Sequence, residues 1–414
     1  MKSVFSYSSI NLTVLDQVLV SGVNLVLNIF LARMLGVEGF GIFSVLWVCV
    51  LFVSSLQLAL ILYPILSLTI QQEDQNTYLN AVFWLQVIFT IASGIALFIL
   101  CFYSGDSFFN VKLSMYAFDI SLLAMLHTFQ DFLRRLFFVL NFHRIAIFSD
   151  LISYLGRLIL LSTFFRFWPV DVATTLKLIA FSSFISIAFT IKYCGVKQVK
   201  FRYLLDTFTY NWSFSRWLLG SSLLQWLTGN FFVLVASSTI GPFAAGVVRI
   251  SQNLMGATHV VFLSMENYVP RRASECYKVG GIDQLILYFR KIAAYILVFV
   301  SIVILAVAAF PRFWIGMFYG DSYIEYAFFL RWYVLLYLFM AINITIKLFL
   351  RTVGETRAIF ISDVLAALIS VMIARPLIVA FQFNGVLIGT AVSMAVVMVS
   401  LIIGSSLAIN KEKS

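Results

Sequence analysis

Five arginines interrupt stretches of the sequence that are otherwise almost wholly apolar: Arg33, Arg157, Arg249, Arg331 and Arg375. A guanidinium stays charged at every physiological pH, and at the centre of a bilayer it costs at least about 2.5 to 3.5 kcal/mol. Its planar donors match the oxygens of a phosphate in a bidentate geometry. We therefore predict that Arg249, Arg33 and Arg157 bind an anionic group, notably phosphate or pyrophosphate.

Each of these arginines also has a structural alternative. Arg33, Arg331 and Arg375 fall towards the ends of their apolar stretches, where a long side chain reaches the water interface. Arg157 and Arg249 lie deeper, and their alternative is a pair with a carboxylate. Arg331 and Arg375 therefore count as intramembrane charges without an assigned role.

Uncharged polar residues recur at helical spacing within the apolar stretches. Along the first stretch, Gln17, Ser21, Asn24 and Asn28 are separated by four, three and four positions, which places them on one helix face. Such a face normally lies against protein or a water-filled cavity, and interhelical hydrogen bonding is the alternative. The residues predicted to line a cavity are Gln17, Asn24, Asn28, Gln225, Gln252 and His259.

Acidic residues of the apolar stretches have two kinds of predicted role. Asp16 adjoins the polar face of the first stretch, and we predict that it couples the protein to H⁺ or Na⁺. Asp150 and Asp363 fall in the first turns of predicted helices, where a negative charge complements the helix dipole. Asp131 precedes two arginines by three and four positions, which predicts a local ion pair.

No constellation for bond chemistry is found. The sequence contains no GxSxG, no HExxH and no Gly-rich phosphate loop followed by Lys and Ser or Thr, so we predict no enzyme activity and no resident cofactor. Cys49, Cys101, Cys194 and Cys276 are scattered without CxxC spacing, which favours neither a disulfide framework nor a metal site. The net charge of +10 comes without a basic tract, so no nucleic-acid partner is expected.

The composition explains why the polar residues are so informative. Of 414 residues, 62% are hydrophobic and 11% are charged, and the mean hydropathy is +1.00. Soluble domains carry about 25% charged residues, so a soluble globular enzyme is excluded. The N-terminus shows no cleavable signal peptide, so the first apolar helix is expected to remain.

Twelve apolar stretches of about 20 residues or more predict an all-α polytopic membrane protein. Most lysines and arginines of the intervening loops fall on the side of the two termini, and the other side holds only Arg33, Lys112, Arg166, Lys177 and Arg312. The positive-inside rule therefore predicts cytoplasmic termini. The predicted spans are 13–34, 40–68, 79–103, 113–135, 145–166, 172–194, 214–239, 244–269, 286–310, 325–350, 357–381 and 385–409.

An internal repeat divides the chain into two pseudo-symmetric halves. HRIAIFSD, which ends at Asp150, matches TRAIFISD, which ends at Asp363, and Gly36 and Pro64 have counterparts at Gly241 and Pro270. Halves of six helices each share one orientation, as in transporters that alternate access by rocking. The predicted domains are a six-helix lobe at 1–194, a cytoplasmic linker with an amphipathic helix at 195–212, and a second six-helix lobe at 213–414.

Several stretches spread over the whole chain carry a resemblance to a known family. They are FLARMLGVEGFGIFSV (30–45), ENYVPRRASECYKVGG (266–281), FYGDSYIEYAFFLRWYVLLYLF (318–339), LRTVGETRAIFISD (350–363) and NGVLIGTAVS (384–393). The sequence resembles the polysaccharide transporters, or Wzx-type flippases. Their superfamily also contains MATE-type multidrug exporters and lipid II flippases.

The resemblance implies a MATE-like, twelve-helix flippase in the bacterial inner membrane. Its substrate would be an undecaprenyl-pyrophosphate-linked oligosaccharide, such as an O-antigen unit used in lipopolysaccharide biosynthesis, and a polysaccharide polymerase and a chain-length regulator would be its partners. The cationic cavity of such proteins maps onto Arg33 and Arg249. Helix 2 offers no arginine, which leaves Arg157 as the candidate third phosphate contact. The polar cavity residues would then bind sugar hydroxyls.

Two other functions remain open from the sequence. A MATE-like, ion-coupled exporter of small cationic molecules would need carboxylates in its cavity, whereas helix 8 offers Arg249 and His259. An enzyme acting on polyprenyl-linked sugars would need carboxylates in sizeable loops, and no predicted loop exceeds about 20 residues.

Overall fold

A computed structural model describes residues 7–69, 72–104 and 108–413, and within these ranges every regular element is helical. Contacts divide the chain into two compact units, residues 1–226 and 227–414. The protein is a multi-pass membrane protein: nine of its described helices are long and apolar enough to cross a bilayer.

The first unit contains seven helices and the beginning of an eighth. They are α1 (Tyr7–Gln57), α2 (Tyr63–Leu68), α3 (Gln75–Tyr103), α4 (Leu113–Val139), α5 (His143–Asp150), α6 (Gly156–Phe167), α7 (Val172–Thr190) and α8 (Phe201–Thr239). Two π-helical turns, Leu58–Leu62 and Leu151–Leu155, join α1 to α2 and α5 to α6. Single π turns inside α-helices often occur at functional sites.

The second unit contains the end of α8 and seven further helices. They are α9 (Pro242–Leu254), α10 (Gly256–Ala309), α11 (Pro311–Tyr319), α12 (Ala327–Tyr333), α13 (Leu336–Thr352), α14 (Thr356–Phe381) and α15 (Phe383–Lys413). Prolines open α9 and α11, where the missing N–H has no intrahelical acceptor to lose.

Two of the long helices are bent at glycines. In α1, Gly36 adopts φ 68° and ψ −176°, a conformation that L-residues with a side chain rarely adopt. In α10, Gly281 has φ 63° and follows a non-helical Gly280. The spans predicted at 13–34 and 40–68 therefore form one run that changes direction at Gly36.

Side-chain caps mark where two of the spanning helices begin. The Asp74 carboxylate accepts a hydrogen bond from the Thr77 N–H before α3, at 3.1 Å, and Asp171 accepts one from the Thr174 N–H before α7, at 2.9 Å. The hydroxyl and N–H of Thr77 hold the pKa of Asp74 below its ordinary value, and Thr174 does the same for the pKa of Asp171.

The nine candidate spans of the described residues differ from the twelve predicted ones in three places. The first two predicted spans fall in one candidate, Val20–Leu68. The prediction at 113–135 corresponds to α4, where Asp119, Gln130 and other polar residues lower the hydropathy. The prediction at 244–269 is divided between α9 and α10. The count of twelve spans and the side of the termini stay predictions.

The boundary between the two units falls within α8 and not within the predicted linker. Residues 195–200 are extended, and from Phe201 the chain is helical without interruption to Thr239. The segment predicted as a separate amphipathic helix is therefore the first part of α8. Its buried residues, Leu204, Thr207 and Asn211, face the first unit, and Tyr78 Oη donates a hydrogen bond to Asn211 Oδ1 at 3.0 Å.

Large apolar side chains cover much of the outer surface of both units. Leu100, Ile159 and Met372 are each at least 64% exposed within helices that are candidate spans. In water such a surface would carry a large free-energy penalty, and in a bilayer it meets hydrocarbon. Polar side chains are correspondingly concentrated in the interiors, where the candidate sites lie.

Candidate functional site

A buried ion pair joins α4 to the end of α5 in the first unit. Arg134 Nε lies 2.6 Å from Asp150 Oδ2, and Gln130 Nε2 donates to Asp150 Oδ1 at 3.0 Å. The Asp150 carboxylate is wholly buried. Asp131 pairs with Arg135 at 3.0 Å and with Arg134 at 3.6 Å, so the local ion pair predicted from its spacing is present.

The second unit carries a counterpart of this pair. Lys347 Nζ of α13 donates to Asp363 Oδ1 of α14 at 2.7 Å. Both residues lie 213 positions after Arg134 and Asp150, which is the offset of the sequence repeat. The two pairs differ in burial, because 23% of the Lys347 side chain and 13% of the Asp363 side chain are exposed. The repeat thus extends from sequence to side-chain contacts.

We expect Lys347→Met to lower the free energy of unfolding by about 1 to 2 kcal/mol, between the values for exposed and buried ion pairs. The unpaired Asp363 would keep part of its hydration because it is not fully buried. Unfolding of the purified protein by SDS in mixed micelles measures the loss. The double variant Lys347→Met, Asp363→Leu should recover most of the stability, and a double variant as unstable as the single one would contradict the ion-pair explanation.

Arg157, predicted as a phosphate contact, lies in the interior of the first unit with 1% of its surface exposed. Its Nε donates to Ser182 Oγ at 3.3 Å, and Nη2 donates to Ser153 Oγ at 3.0 Å and Ser183 Oγ at 3.1 Å. Its guanidinium also lies 4.6 Å from the centre of the Tyr154 ring. Phosphate has no access to this guanidinium in the observed conformation, and its predicted binding role stays a prediction.

The surroundings of Arg157 contain neutral acceptors in place of a carboxylate. Ser182 and Ser183 each donate their own proton to the Ile179 carbonyl, which leaves their oxygens as acceptors for the guanidinium. His127 Nδ1 lies 3.4 Å from Arg157 Nη2. Among the side chains that the structure describes, no carboxylate comes within 4 Å of Arg157, so the alternative of an ion pair is not what holds it.

Arg249 on α9 lies in a cluster of hydroxyl and amide groups in the second unit. It is partly exposed, and its charge interacts with the phenol groups of Tyr333, Tyr337 and Tyr319. Within the described part of the chain, no carboxylate lies within 4 Å of it. Unlike Arg157, this arginine is partly accessible, and its neighbours can support an anion beside it instead of competing for the site.

Gln252 and His259, both predicted to line a cavity, belong to the same cluster. Gln252 Nε2 donates to Tyr333 Oη at 3.2 Å, and Tyr337 Oη lies 3.4 Å from the Gln252 carbonyl oxygen. Tyr337 Oη also lies 3.3 Å from His259 Nε2. Tyr333 and Tyr337 therefore connect Gln252 and His259, and both tyrosines and His259 interact with the charge of Arg249. The pattern of polar residues in the sequence did not identify these two tyrosines.

The predicted residues of helix 1 are less closely connected. Asn24 and Asn28 are partly exposed. Asn28 Nδ2 donates a hydrogen bond to the Asn24 carbonyl oxygen at 2.8 Å, so this side-chain amide is bonded within its own helix. Arg33 is exposed. The side chains of Asp16 and Gln17 lie outside the described part of the structure, so the roles assigned to them stay predictions.

The remaining predicted residues are exposed at separate places. Gln225 is exposed on α8, Arg331 on α12 and Arg375 on α14. Over the described ranges, no three His, Cys, Asp or Glu side chains come together as metal ligands would. In the described part of the chain, the cluster around Arg249 joins several predicted residues through shared partners, and it is the candidate functional site.

Comparison with known proteins gives this cluster a context. The family model described as polysaccharide biosynthesis protein matches residues 7–271, and the MatE family model matches residues 218–377. A comparison with curated proteins returned no match. The first match covers more than half of the chain, and the second covers the part that contains Arg249.

Solved structures with a similar fold are transporters and a flippase. An inward-facing multidrug resistance MATE family transporter of the MOP superfamily matches at 15% identity and a TM-score of 0.74, with 95% of each chain covered. Lipid II flippase MurJ, in an inward closed conformation, matches at 14% identity and a TM-score of 0.74, covering 96% of this chain and 87% of that one.

A third structure is a MOP superfamily transporter from Pyrococcus furiosus described for the reverse polarity of its binding pocket. It matches at 14% identity and a TM-score of 0.54, and 98% of this chain and 93% of that one are covered. At these identities the likeness concerns the fold alone. The family match carries more, and from it we conclude that the chain belongs to the polysaccharide biosynthesis protein family, with the fold shared by a MATE transporter and a lipid II flippase.

Proposed function

We propose that the protein is a flippase for an undecaprenyl-pyrophosphate-linked oligosaccharide, such as the O-antigen or another surface polysaccharide repeat unit. It would move this lipid from the inner to the outer leaflet of the bacterial cytoplasmic membrane. The observation that carries the proposal is the environment of Arg249, a partly accessible guanidinium among hydroxyls with no carboxylate within 4 Å in the described chain. A guanidinium without a carboxylate beside it attracts a phosphate.

In the proposed binding mode, different residues bind the pyrophosphate and the sugars of the headgroup. Arg249 neutralises the pyrophosphate, with Arg33 and Arg157 as the further candidates of the first unit. Sugar hydroxyls accept and donate hydrogen bonds at amide and imidazole groups, for which the candidates are Gln17, Asn24, Asn28, Gln225, Gln252 and His259. The polyprenyl chain stays in the surrounding lipid, so no free energy is needed to remove it from hydrocarbon.

Movement of the headgroup would follow from alternating access of the two halves. With the cell interior negative, each uncompensated negative charge that moves outward gains about 2.3 kcal/mol per 100 mV. This supplies part of the drive without a chemical step. Inward movement of H⁺ or Na⁺ through Asp16 is the proposed additional coupling. A polysaccharide polymerase and a chain-length regulator would take the product at the outer face.

An ion-coupled exporter of small molecules is the second candidate, and the MatE match at residues 218–377 favours it. A site for cationic drugs would need a carboxylate to pair with the cation. The cluster in that region presents Arg249 and His259 instead, and the carboxylate of Asp363 is already held by Lys347 at 2.7 Å. The charge of the cluster therefore supports the anionic lipid over the cation.

Reconstituted vesicles separate the two functions. We expect purified protein to move fluorescently labelled undecaprenyl-pyrophosphate oligosaccharide between leaflets, measured as the fraction that an impermeant quencher cannot reach. The same vesicles should show no uptake of ethidium under a proton or sodium gradient. Ethidium uptake without lipid movement would favour the exporter, and a shortened or altered glycan on mass analysis would point to an enzyme.

A further inference from the structure

Two helical segments of the second unit each have a short break in their α-helical hydrogen bonding, and a side-chain hydrogen bond links the residues next to the two breaks. Over the predicted segment 244–269 the break is at Met255, between α9 and α10. Over 325–350 it is at Val334 and Leu335, between α12 and α13, and both of these residues keep helical φ and ψ. At both breaks the backbone forms tighter turns: the Met255 N–H donates to the Gln252 carbonyl at 3.2 Å, and the Tyr337 N–H to the Val334 carbonyl at 3.1 Å. A stretch of such 3-10-type turns inside a helix often marks a functional hinge or a sequence under strain.

Side chains next to the breaks connect them. Tyr333 ends α12 and accepts a hydrogen bond from Gln252 Nε2, three positions before Met255. Tyr337, in the first turn of α13, faces the carbonyl oxygen of Gln252 and His259 Nε2 at once. Both tyrosines are at least 93% buried, whereas Gln252 is partly exposed and His259 is exposed. The phenols are therefore the buried supports of an accessible amide and an accessible imidazole.

The Tyr337 hydroxyl has one proton for two acceptors. When that proton goes to His259 Nε2, the imidazole carries its own proton on Nδ1 and presents a donor. When it goes to the Gln252 carbonyl, His259 Nε2–H donates to Tyr337 and Nδ1 becomes an acceptor. The phenol thus determines both the position of the ring and whether its outer nitrogen offers or accepts a hydrogen bond.

The shared architecture of the two halves does not require these phenols. The offset of 213 that relates the two ion pairs places Ile120 and Ala124 at the positions of Tyr333 and Tyr337. Both counterparts are buried within α4, a helix with no break between Leu113 and Val139. The first half forms the corresponding helix with apolar side chains, so the repeated architecture does not depend on the phenol hydroxyls at these positions.

We propose that Tyr333 and Tyr337 are positioning residues that determine which headgroups the Arg249 site accepts. They hold the side chains of Gln252 and His259 beside the position proposed for the sugar next to the phosphate. The Arg249 guanidinium then recognises the phosphate charge, and the amide and imidazole recognise the sugar hydroxyls. This inference rests on the proposed function, and it separates sugar recognition from phosphate recognition within one site.

The test compares two lipid probes in nanodiscs that contain the full chain. One probe is undecaprenyl pyrophosphate, and the other is the same lipid carrying N-acetylglucosamine. We expect the wild type to bind the glycosylated probe more tightly, and Tyr337→Phe to weaken that binding about tenfold while changing the affinity for the bare pyrophosphate less than twofold. Tyr333→Phe should also weaken binding of the glycosylated probe, because it removes the hydrogen-bond partner of Gln252. Tyr295→Phe, which removes an exposed hydroxyl from α10, is the matched control and should change neither.

Each outcome bears on a different statement. Wild-type protein that binds neither probe would contradict the proposed function itself. A wild type that binds both probes, with a ratio of affinities that Tyr337→Phe leaves unchanged, would overturn the positioning role and leave the flippase intact. If Tyr337→Phe weakened the binding of both probes equally, the positioning role would also be overturned, because a general loss of packing affects recognition of phosphate and sugar alike. Gln252→Ala should reproduce the loss of sugar preference.

Discussion

Arg249→Ala is expected to reduce movement of the pyrophosphate-linked glycan by about tenfold to a hundredfold at subsaturating substrate. The change removes the charged partner of the phosphate, and hydrogen bonds to charged groups contribute about 1.5 to 3 kcal/mol. The tyrosines around it are neutral donors and cannot replace a guanidinium. The vesicle assay with labelled lipid measures the rate, and equal protein incorporation is checked on gels.

Two variants show whether the charge or the shape of Arg249 is responsible. Arg249→Lys keeps the charge but loses the planar pair of donors, so an intermediate rate is expected. Arg375→Ala removes the same charge from an exposed position on α14 and should leave the rate unchanged. If Arg375→Ala slowed the lipid as much as Arg249→Ala, a general effect of membrane charge would explain both, and the assignment to Arg249 would be wrong.

Asp150→Ala is expected to give the largest loss of stability of any single change discussed, about 3 to 5 kcal/mol. Asp150 is wholly buried, and its removal leaves the Arg134 guanidinium, which is 14% exposed, without its closest carboxylate. The Gln130 amide loses its acceptor as well. Unfolding by SDS in mixed micelles, followed by circular dichroism, measures the change.

Asp131→Ala is the matched control for this prediction, because it removes a carboxylate from the same arginines at a more exposed position. Its side chain is 22% exposed, and its pairs with Arg134 and Arg135 are local, so a loss of about 1 kcal/mol or less is expected. The double variant Arg134→Met, Asp150→Leu should recover most of the stability that Asp150→Ala loses, since it leaves no unpaired charge. Equal losses from Asp131→Ala and Asp150→Ala would show that burial does not govern the cost.

Local patterns in the sequence were sufficient for some of these contacts. Asp131 and its two arginines lie within one helical turn, so their spacing alone predicts the pairs. The repeat identified Asp150 and Asp363 as equivalent, and the family resemblance is confirmed by the family match. The partner of Asp150 was not predicted, because Arg134 lies on another helix and only packing brings the two together.

Burial and helix breaks were beyond what the pattern of polar residues could predict. Arg157 and Arg249 are alike in sequence, each a lone arginine in an apolar stretch, yet one is enclosed by serines of α7 and the other is partly exposed. Tyr333 and Tyr337 are spaced four apart in an aromatic stretch, a pattern that serves equally well for a core. The break at Met255 has no proline within it and is followed directly by Gly256, which is a weak helix former.

The enclosure of Arg157 has an electrical consequence. Arg157 interacts electrostatically with Asp150, and these two residues together with Arg134, Arg135 and Asp131 carry a net charge of +1. At an effective dielectric constant of about 20, such a charge changes the energy of a unit charge about 10 Å away by about 1.7 kcal/mol. A side chain enclosed by protein thereby contributes a positive electrostatic potential to its surroundings, which lowers the energy of anions near the unit and raises that of cations.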